Sequence, residues 1–356
     1  MKYTVALVYY ANIDHYSVTS GMRNYLINGG YLDLLSATEV PINICFTGTT
    51  LEALRSKNPK FIQEVKSLGN VKFLHTSYSH FIPSELPEDI VIQTKYGKLE
   101  IDRSIPLDKQ INIMAPPEYD VTSCVLKTDC LSNCFLASSS IINHGDFSNC
   151  NVFYRHTTTG KKLLCVHKDL AFRGICHSYL REMCTTEDVL TSIKSDLSQL
   201  PISSPLICAI DFETPIFNQV YIDENKEVSP PRLDLFASLH QAYSKSSIRF
   251  IHLDEVVSSG KFENNIDSLN NVKITVNRST HYRVIFNTLE KLRNRLIKTN
   301  PKLYMNCMTS DFYTFSKRSI KLPSSYCGRN GFVIIRRSGA NTIIRKKNLS
   351  RILANV

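Results

Sequence analysis

The chain has 356 residues, of which 43% are hydrophobic and 21% charged. That balance describes a water-soluble globular protein with room for one large α/β domain and an appendage, or for two ordinary domains. It excludes collagen-like, coiled and largely disordered chains.

The net charge of +10 is concentrated at one end. Between Ser316 and Val356 stand ten Lys or Arg and no acidic residue, while the rest of the chain holds 32 residues of each sign. The expectation is a neutral body with a cationic C-terminal tail that can meet an acidic partner. No RNA-binding signature or aromatic interleaving accompanies the tail. Eleven cysteines, an odd number scattered from Cys45 to Cys327, read as reduced cytosolic thiols. Cys124, Cys130, Cys134 and Cys150, with His144 among them, lack zinc-site spacing, so no metal is expected. No apolar stretch approaches the roughly 20 residues of a membrane helix. The N-terminal MKYTVALVYYA lacks a cleavage site and reads as a first strand, which places the chain in the cytoplasm.

Along the chain, strand-like runs at 3–10, 42–47, 70–75, 111–115, 205–210 and 248–253 alternate with helical segments at Met22–Ser36, Leu51–Leu68, Glu187–Leu200 and Pro231–Lys245. This alternation over residues 1–265 predicts an α/β fold, an irregular parallel (β/α) barrel of about seven strands. Pro87–Lys109 and Cys124–Tyr154 read as long loops over one end of the sheet. Residues 266–317 read as a helical segment, with helices at Thr280–Lys298 and Pro301–Lys317 joined by the Thr299-Asn300 turn. In the tail, 318–356, FVIIRR and NTIIRKK flank Ser338-Gly339-Ala340 as a basic β-hairpin.

The run ICAIDFETPIFN (207–218) ends an apolar strand on two carboxylates, Asp211 and Glu213, which alternation along an extended chain sends to one side. Upstream, INIMAPPEYDV places Glu118 just past another buried strand, behind two prolines that fix the backbone. Parallel barrels gather functional side chains from the C-terminal ends of several strands, which brings Glu118 and Asp211 to one rim. A facing carboxylate pair suits glycosidic bond cleavage, where one acid is ionised and the other carries a proton.

In these segments the chain resembles glycoside hydrolase family 57, which includes α-amylases, 4-α-glucanotransferases and branching enzymes. Five segments over residues 1–317 follow the family's order. ICFTGTTLEAL (44–54) is similar to its strand, glycine and helix start, and SYSHFIP (77–83) to its tyrosine and histidine segment. APPE (115–118) is similar to the segment ending in the nucleophile, IDFETP (210–215) to the Asp-x-Glu segment, and MTSDFYTFS (308–316) to the Ser-Asp aromatic segment. The resemblance implies a retaining hydrolase or transglycosylase of α-linked glucan or oligosaccharide. Glu118 would be the nucleophile and Asp211 the acid/base, with His80, Asp311 and Glu213 at the substrate and no cofactor.

The chain departs from the family at its His-x-His segment, where Tyr10 and Asn12 stand with Asp14 and His15 close by, so that the resemblance puts Tyr10, Asn12 and His15 at the substrate in place of the two histidines. Pro215 replaces a glycine, and Trp is absent, leaving Tyr and Phe to stack on sugars. The altered first segment makes a non-catalytic carbohydrate-binding protein on the same fold the second reading. A third is a metal-dependent polysaccharide deacetylase built on His75 and His80, although a hydrolytic metal needs about three protein ligands.

Overall fold

The computed structural model describes residues 3–14, 18, 20–81, 87–121, 123–128, 132–142, 151–167, 171–180, 182–201, 204–215, 232–269 and 293–307. Their strands are β1 Thr4–Ala11, β2 Ile42–Phe46, β3 Val71–His75, β4 Gln110–Met114, β5 Cys134–Ser138, β6 Phe153–His156, β7 Lys162–Val166, β8 Leu206–Asp211, β9 Arg249–Phe250 and β10 Asn264–Ile266. In the order β8-β1-β2-β3-β4-β5-β7, each strand is parallel to its neighbours. A bridge between His167 and Cys208 joins the two ends of this series, with the His167 N–H donating to the Ile207 carbonyl at 3.1 Å. Seven parallel strands thus curl into the expected irregular barrel.

The seam is irregular for a local reason. β6 runs antiparallel along the first half of β7, pairing Leu164, Leu163 and Lys162 with Phe153, Tyr154 and Arg155, and β10 adds to β6. A strand edge offers its hydrogen bonds once, so β8 reaches that edge only at His167, beyond the end of β7.

Strand alternation sorts the core into two parts. On β1, Val5, Leu7, Tyr9 and Ala11 face the layer beneath the helices, while Ala6, Val8 and Tyr10 belong to a separate interior cluster. That interior also holds Cys45, Leu74, Ile113, Leu136, Leu164, Ile207 and Ala209, one or two residues from each strand of the ring. The side chains fill the barrel, so a ligand can reach only its mouth. Register pairs Tyr10 with both Cys45 and Asp211, setting these three at one level on neighbouring strands.

Several expectations change. The loop expected over Pro87–Lys109 is an 18-residue helix, Pro87–Ser104. The other expected loop, Cys124–Tyr154, contains β5 and the short Ser139–Ile142 helix. Strand β7 and the Ala171–Leu180 helix carry no assignment in the sequence reading. The Leu51–Leu68 helix divides at Asn58 into Gly48–Lys57 and Pro59–Val65, because Pro59 has no N–H to continue the ladder.

The described C-terminal helices dock beside the barrel. Arg293 pairs with Glu88 and Asp89, and Lys302 pairs with Glu52 and with Glu100, whose carboxylate is fully buried. The basic tail and its expected hairpin lie outside the described residues.

Candidate active site

Four of the residues singled out in the sequence stand at the C-terminal mouth of the ring. Tyr10 ends the interior row of β1, and its hydroxyl meets Thr76 Oγ1 at 3.0 Å. Thr76 in turn donates to the Ala115 carbonyl at 2.6 Å. With the single Thr76 proton used there, Tyr10 is the donor. This chain of bonds ties the ends of β1, β3 and β4 together.

The Ala115-Pro116-Pro117 run stops β4, since neither proline can donate to a ladder. Glu118 and Tyr119 follow with φ of 57° and 55°, a left-handed conformation that costs a non-glycine residue roughly 1–2 kcal/mol. The turn is held by the Tyr119 N–H on the Pro116 carbonyl at 2.9 Å and the Asp120 N–H on the Pro117 carbonyl at 3.1 Å. Its outcome is a division of labour. The Glu118 side chain is 43% exposed, while Tyr119 is buried in the interior cluster. His80, itself buried, brings Nε2 to 3.8 Å from Glu118 Oε1 and sets its ring edge-on to Tyr10. The preceding residue, Ser79, donates to the Met305 carbonyl at 2.8 Å, so the C-terminal helix supports the segment that carries His80.

Asp211 closes β8 on the same inward-facing row as Ile207 and Ala209. Its Oδ2 accepts from Arg173 Nη2 at 3.1 Å, with both side chains about one-third exposed. Tyr10 stands in register beside Asp211, and its ring meets those of His80 and Tyr119 edge-on at 5.3 and 6.3 Å.

Glu213 does not share this setting, because the strand ends at Asp211 and alternation ends with it. A turn begins there, with Thr214 Oγ1 donating to the Asp211 carbonyl at 2.6 Å. Glu213 is 1% exposed, and its Oε1 accepts from the Asn12 N–H at 2.7 Å and from the Tyr31 hydroxyl. Tyr31 belongs to the outer core. Burial pushes the Glu213 carboxyl up to about 8, the bond from Tyr31 opposes this, and the nearby Asp211 charge adds to it. Asn12 is 3% exposed, and its Oδ1 accepts from the Asp14 N–H at 3.1 Å. Glu213 and Asn12 join the ends of β8 and β1 from behind the mouth, away from the place the sequence reading gave them at the substrate. His15 and Asp311 lie outside the described residues.

His75 and His80 do not converge. His75 Nε2 lies 3.4 Å from Gln110 Oε1, whereas His80 faces Glu118. Among the described residues no group of three or more His, Cys, Asp or Glu side chains is placed to hold a metal ion. Among the same residues no helix is long and apolar enough to cross a membrane.

Arg173, Thr76 and Tyr119 entered the site unannounced by the sequence. Tyr119, beside a candidate nucleophile, carried a signal in its position alone. Arg173 carried none, because its helix was not anticipated.

A ring of parallel strands with acidic side chains at the C-terminal ends of two of them is the arrangement of barrel enzymes. No protein-family model matches the sequence, and no curated protein matches it. Solved structures do match by fold. An α-amylase from Thermotoga maritima aligns with a TM-score of 0.59 at 10% identity, over 99% of this chain and 93% of its own. A GH57-type branching enzyme from Pyrococcus horikoshii aligns with a TM-score of 0.58 at 9% identity, over 97% and 88%. A 4-α-glucanotransferase from Thermococcus litoralis aligns with a TM-score of 0.56 at 13% identity, over 98% of this chain and 55% of its own length. The chain thus spans about half of that enzyme. At these identities the likeness is one of fold, and the fold is the one the resemblance to glycoside hydrolase family 57 implied.

Proposed function

We propose that the protein is a retaining glycoside hydrolase or transglycosylase acting on an α-linked glucan or oligosaccharide. The observation that carries this reading is the pair Glu118 and Asp211, at the C-terminal ends of two strands of one ring, with Asp211 in register beside Tyr10 and Glu118 next to His80, whose ring meets that of Tyr10. The fold shared with an α-amylase, a glucanotransferase and a branching enzyme supports an α-linked glucan as the substrate class.

In the first step a Glu118 oxygen attacks the anomeric carbon as the bond to the leaving oxygen breaks, and Asp211 gives that oxygen its proton. In the second, Asp211 takes a proton from water or from an acceptor sugar hydroxyl, whose oxygen displaces Glu118. Retention calls for carboxyl groups about 5 to 5.5 Å apart. Carboxylates supply both the proton transfer and the covalent capture, so the scheme calls for no cofactor. Arg173 must release or turn with Asp211 for the proton to be delivered. His80, next to Glu118, orients the nucleophile or a sugar hydroxyl. Tyr10, Glu213 and Asn12 hold the rim from beneath.

The second reading, a carbohydrate-binding protein without turnover, is favoured by Tyr10 and Asn12, whose polar groups are engaged within the protein. Incubation of the purified protein with maltooligosaccharides, other α-linked glycans and aryl glycosides, repeated with Glu118→Gln and Asp211→Asn, decides between them. Either substitution is expected to lower turnover by several orders of magnitude, since the pair acts as a unit. Glycan binding without turnover in the wild type would favour the second reading. Activity that survives both substitutions would refute the residue assignment.

A further inference from the structure

Gln93 lies within the Pro87–Ser104 helix and is 2% exposed. A glutamine is seldom buried, and its amide is costly to bury unless its groups find partners. Here the partners are two consecutive residues of the segment that leads to His80. The Gln93 backbone carbonyl accepts from the Tyr78 N–H at 2.9 Å, and its Oε1 accepts from the Ser79 N–H at 3.0 Å. Its Nε2 donates to Ser79 Oγ at 3.0 Å, and Ser79 Oγ donates in turn to the Met305 carbonyl of the Pro301–Cys307 helix at 2.8 Å. Gly97, one turn further along the same helix, leaves room for this approach, since a Cβ there would lie 3.0 Å from the Tyr78 nitrogen. The Gly48–Lys57 helix adds two more bonds, from the Gly48 N–H to the Ser77 carbonyl at 3.1 Å and from the Thr49 N–H to the Tyr78 carbonyl at 2.8 Å. Three helices thus grip residues 77–79. The next residue is His80, whose Nε2 lies 3.8 Å from Glu118 Oε1.

We propose that Gln93 is a positioning residue that, acting through Ser79, sets His80 against Glu118. This rests on the glycosidase reading, in which His80 orients the nucleophile or a sugar hydroxyl, and it adds the group that holds His80. Directional bonds to both the N–H and the hydroxyl of Ser79 fix where that residue stands. A single Cα–Cα step of about 3.8 Å carries the placement to His80. An apolar side chain at position 93 would fill the space but leave the buried Ser79 N–H without its acceptor. A misplacement of about 1 Å at a reacting group lowers a rate about 100-fold.

The test is Gln93→Met, which keeps the bulk and removes the amide. Its first readout needs no substrate. Glu118→Gln is expected to shift the NMR signals of the His80 ring nitrogens, assigned with His80→Gln, and in a Gln93→Met background that response is expected to fall to about half or less. On maltopentaose, Gln93→Met is expected to lower kcat/KM about 10- to 100-fold, but by less than about threefold where His80 is already replaced by Gln. Val65→Ala, in the outer core, controls for lost stability and is expected to lower the unfolding midpoint with kcat/KM kept within about twofold. An undiminished His80 response would overturn the inference. Equal losses of kcat/KM with and without His80, or an equal loss in Val65→Ala, would also overturn it, because Gln93 would then act on stability alone. Should Gln93→Met fail to fold, Ser79→Ala decides, since it removes the hydroxyl link and keeps the N–H bond to Gln93. A weakened His80 response in Ser79→Ala would support the inference, and a wild-type response with wild-type kcat/KM would overturn it. If the wild type cleaves none of the glycans, the glycosidase reading fails, while the His80 response still decides whether Gln93 places His80.

Discussion

Replacing Glu213 with Gln tests whether a carboxyl is kept neutral beneath the candidate site. In the folded protein burial moves this group from its ordinary 4.5 up to about 8. Between these values the unfolded chain has released the proton and the folded chain retains it. Stability from this group is therefore fully present below about pH 4.5, falls as pH rises, and levels off above about pH 8. The full gap corresponds to roughly 4–5 kcal/mol, and relaxation around an ionised Glu213 reduces what is realised to about 2–3 kcal/mol. Glutamine keeps an oxygen for the Asn12 N–H and the Tyr31 hydroxyl but cannot ionise. Urea denaturation of both proteins at pH 4.5 and at pH 8 isolates the effect, since other titrating groups cancel in the difference. The variant is expected to match the wild type within about 1 kcal/mol at pH 4.5 and to exceed it by about 2–3 kcal/mol at pH 8. A variant less stable than the wild type by the same amount at both pH values would refute the reasoning. Glu213 would then be an ionised acceptor stabilised by its two donors.

Gly97 sits in the Pro87–Ser104 helix where an added Cβ would lie 2.1 Å from the Thr76 carbonyl oxygen and 2.8 Å from the Ser77 carbonyl carbon. Gly97→Ala is expected to destabilise by about 2–4 kcal/mol, because backbone must move, and to lower activity by shifting the Thr76–His80 segment. An unchanged denaturation midpoint would contradict the close approach. Arg173→Gln removes the partner of Asp211 at a part-exposed site, so stability should change by less than about 1 kcal/mol while kcat/KM falls about 10- to 100-fold. Arg173→Lys is expected to recover part of that loss, and equal loss in both variants would point to packing in place of charge. Glu100 is buried among Arg55, Arg103 and Lys302. Glu100→Gln, which leaves those cations without their shared carboxylate, is expected to cost about 2–4 kcal/mol and to loosen the Pro301–Cys307 helix, seen as faster amide exchange there.

What the linear chain determined by itself is the barrel and the strand ends that carry Glu118 and Asp211. Strands covered on both faces must be apolar throughout, so β1, β2, β3, β4 and β8 are visible as apolar runs separated by helical segments. Alternation put Asp211 on the inward row with Ile207 and Ala209, and the two prolines marked the stop that carries Glu118. Strands β5 and β7 escaped notice because CFLAS and KLLCV each hold a single β-branched or aromatic residue, where the equally short β2, β3 and β4 hold two or three. Gly97 weakens the propensity of the Pro87–Ser104 helix, yet it is there because Thr76 approaches its backbone. Tertiary structure alone decided the electrostatics of the site. The pKa of the Glu213 carboxyl is raised because a turn after Asp211 draws it into the outer core. Arg173 meets Asp211 because helix and strand are brought together over 38 positions of chain. Tyr119 is buried in the barrel interior because a left-handed turn after Glu118 carries it there. Charge state and hydrogen bonding depend on what surrounds a side chain in space, and residues far apart in the chain supply those surroundings.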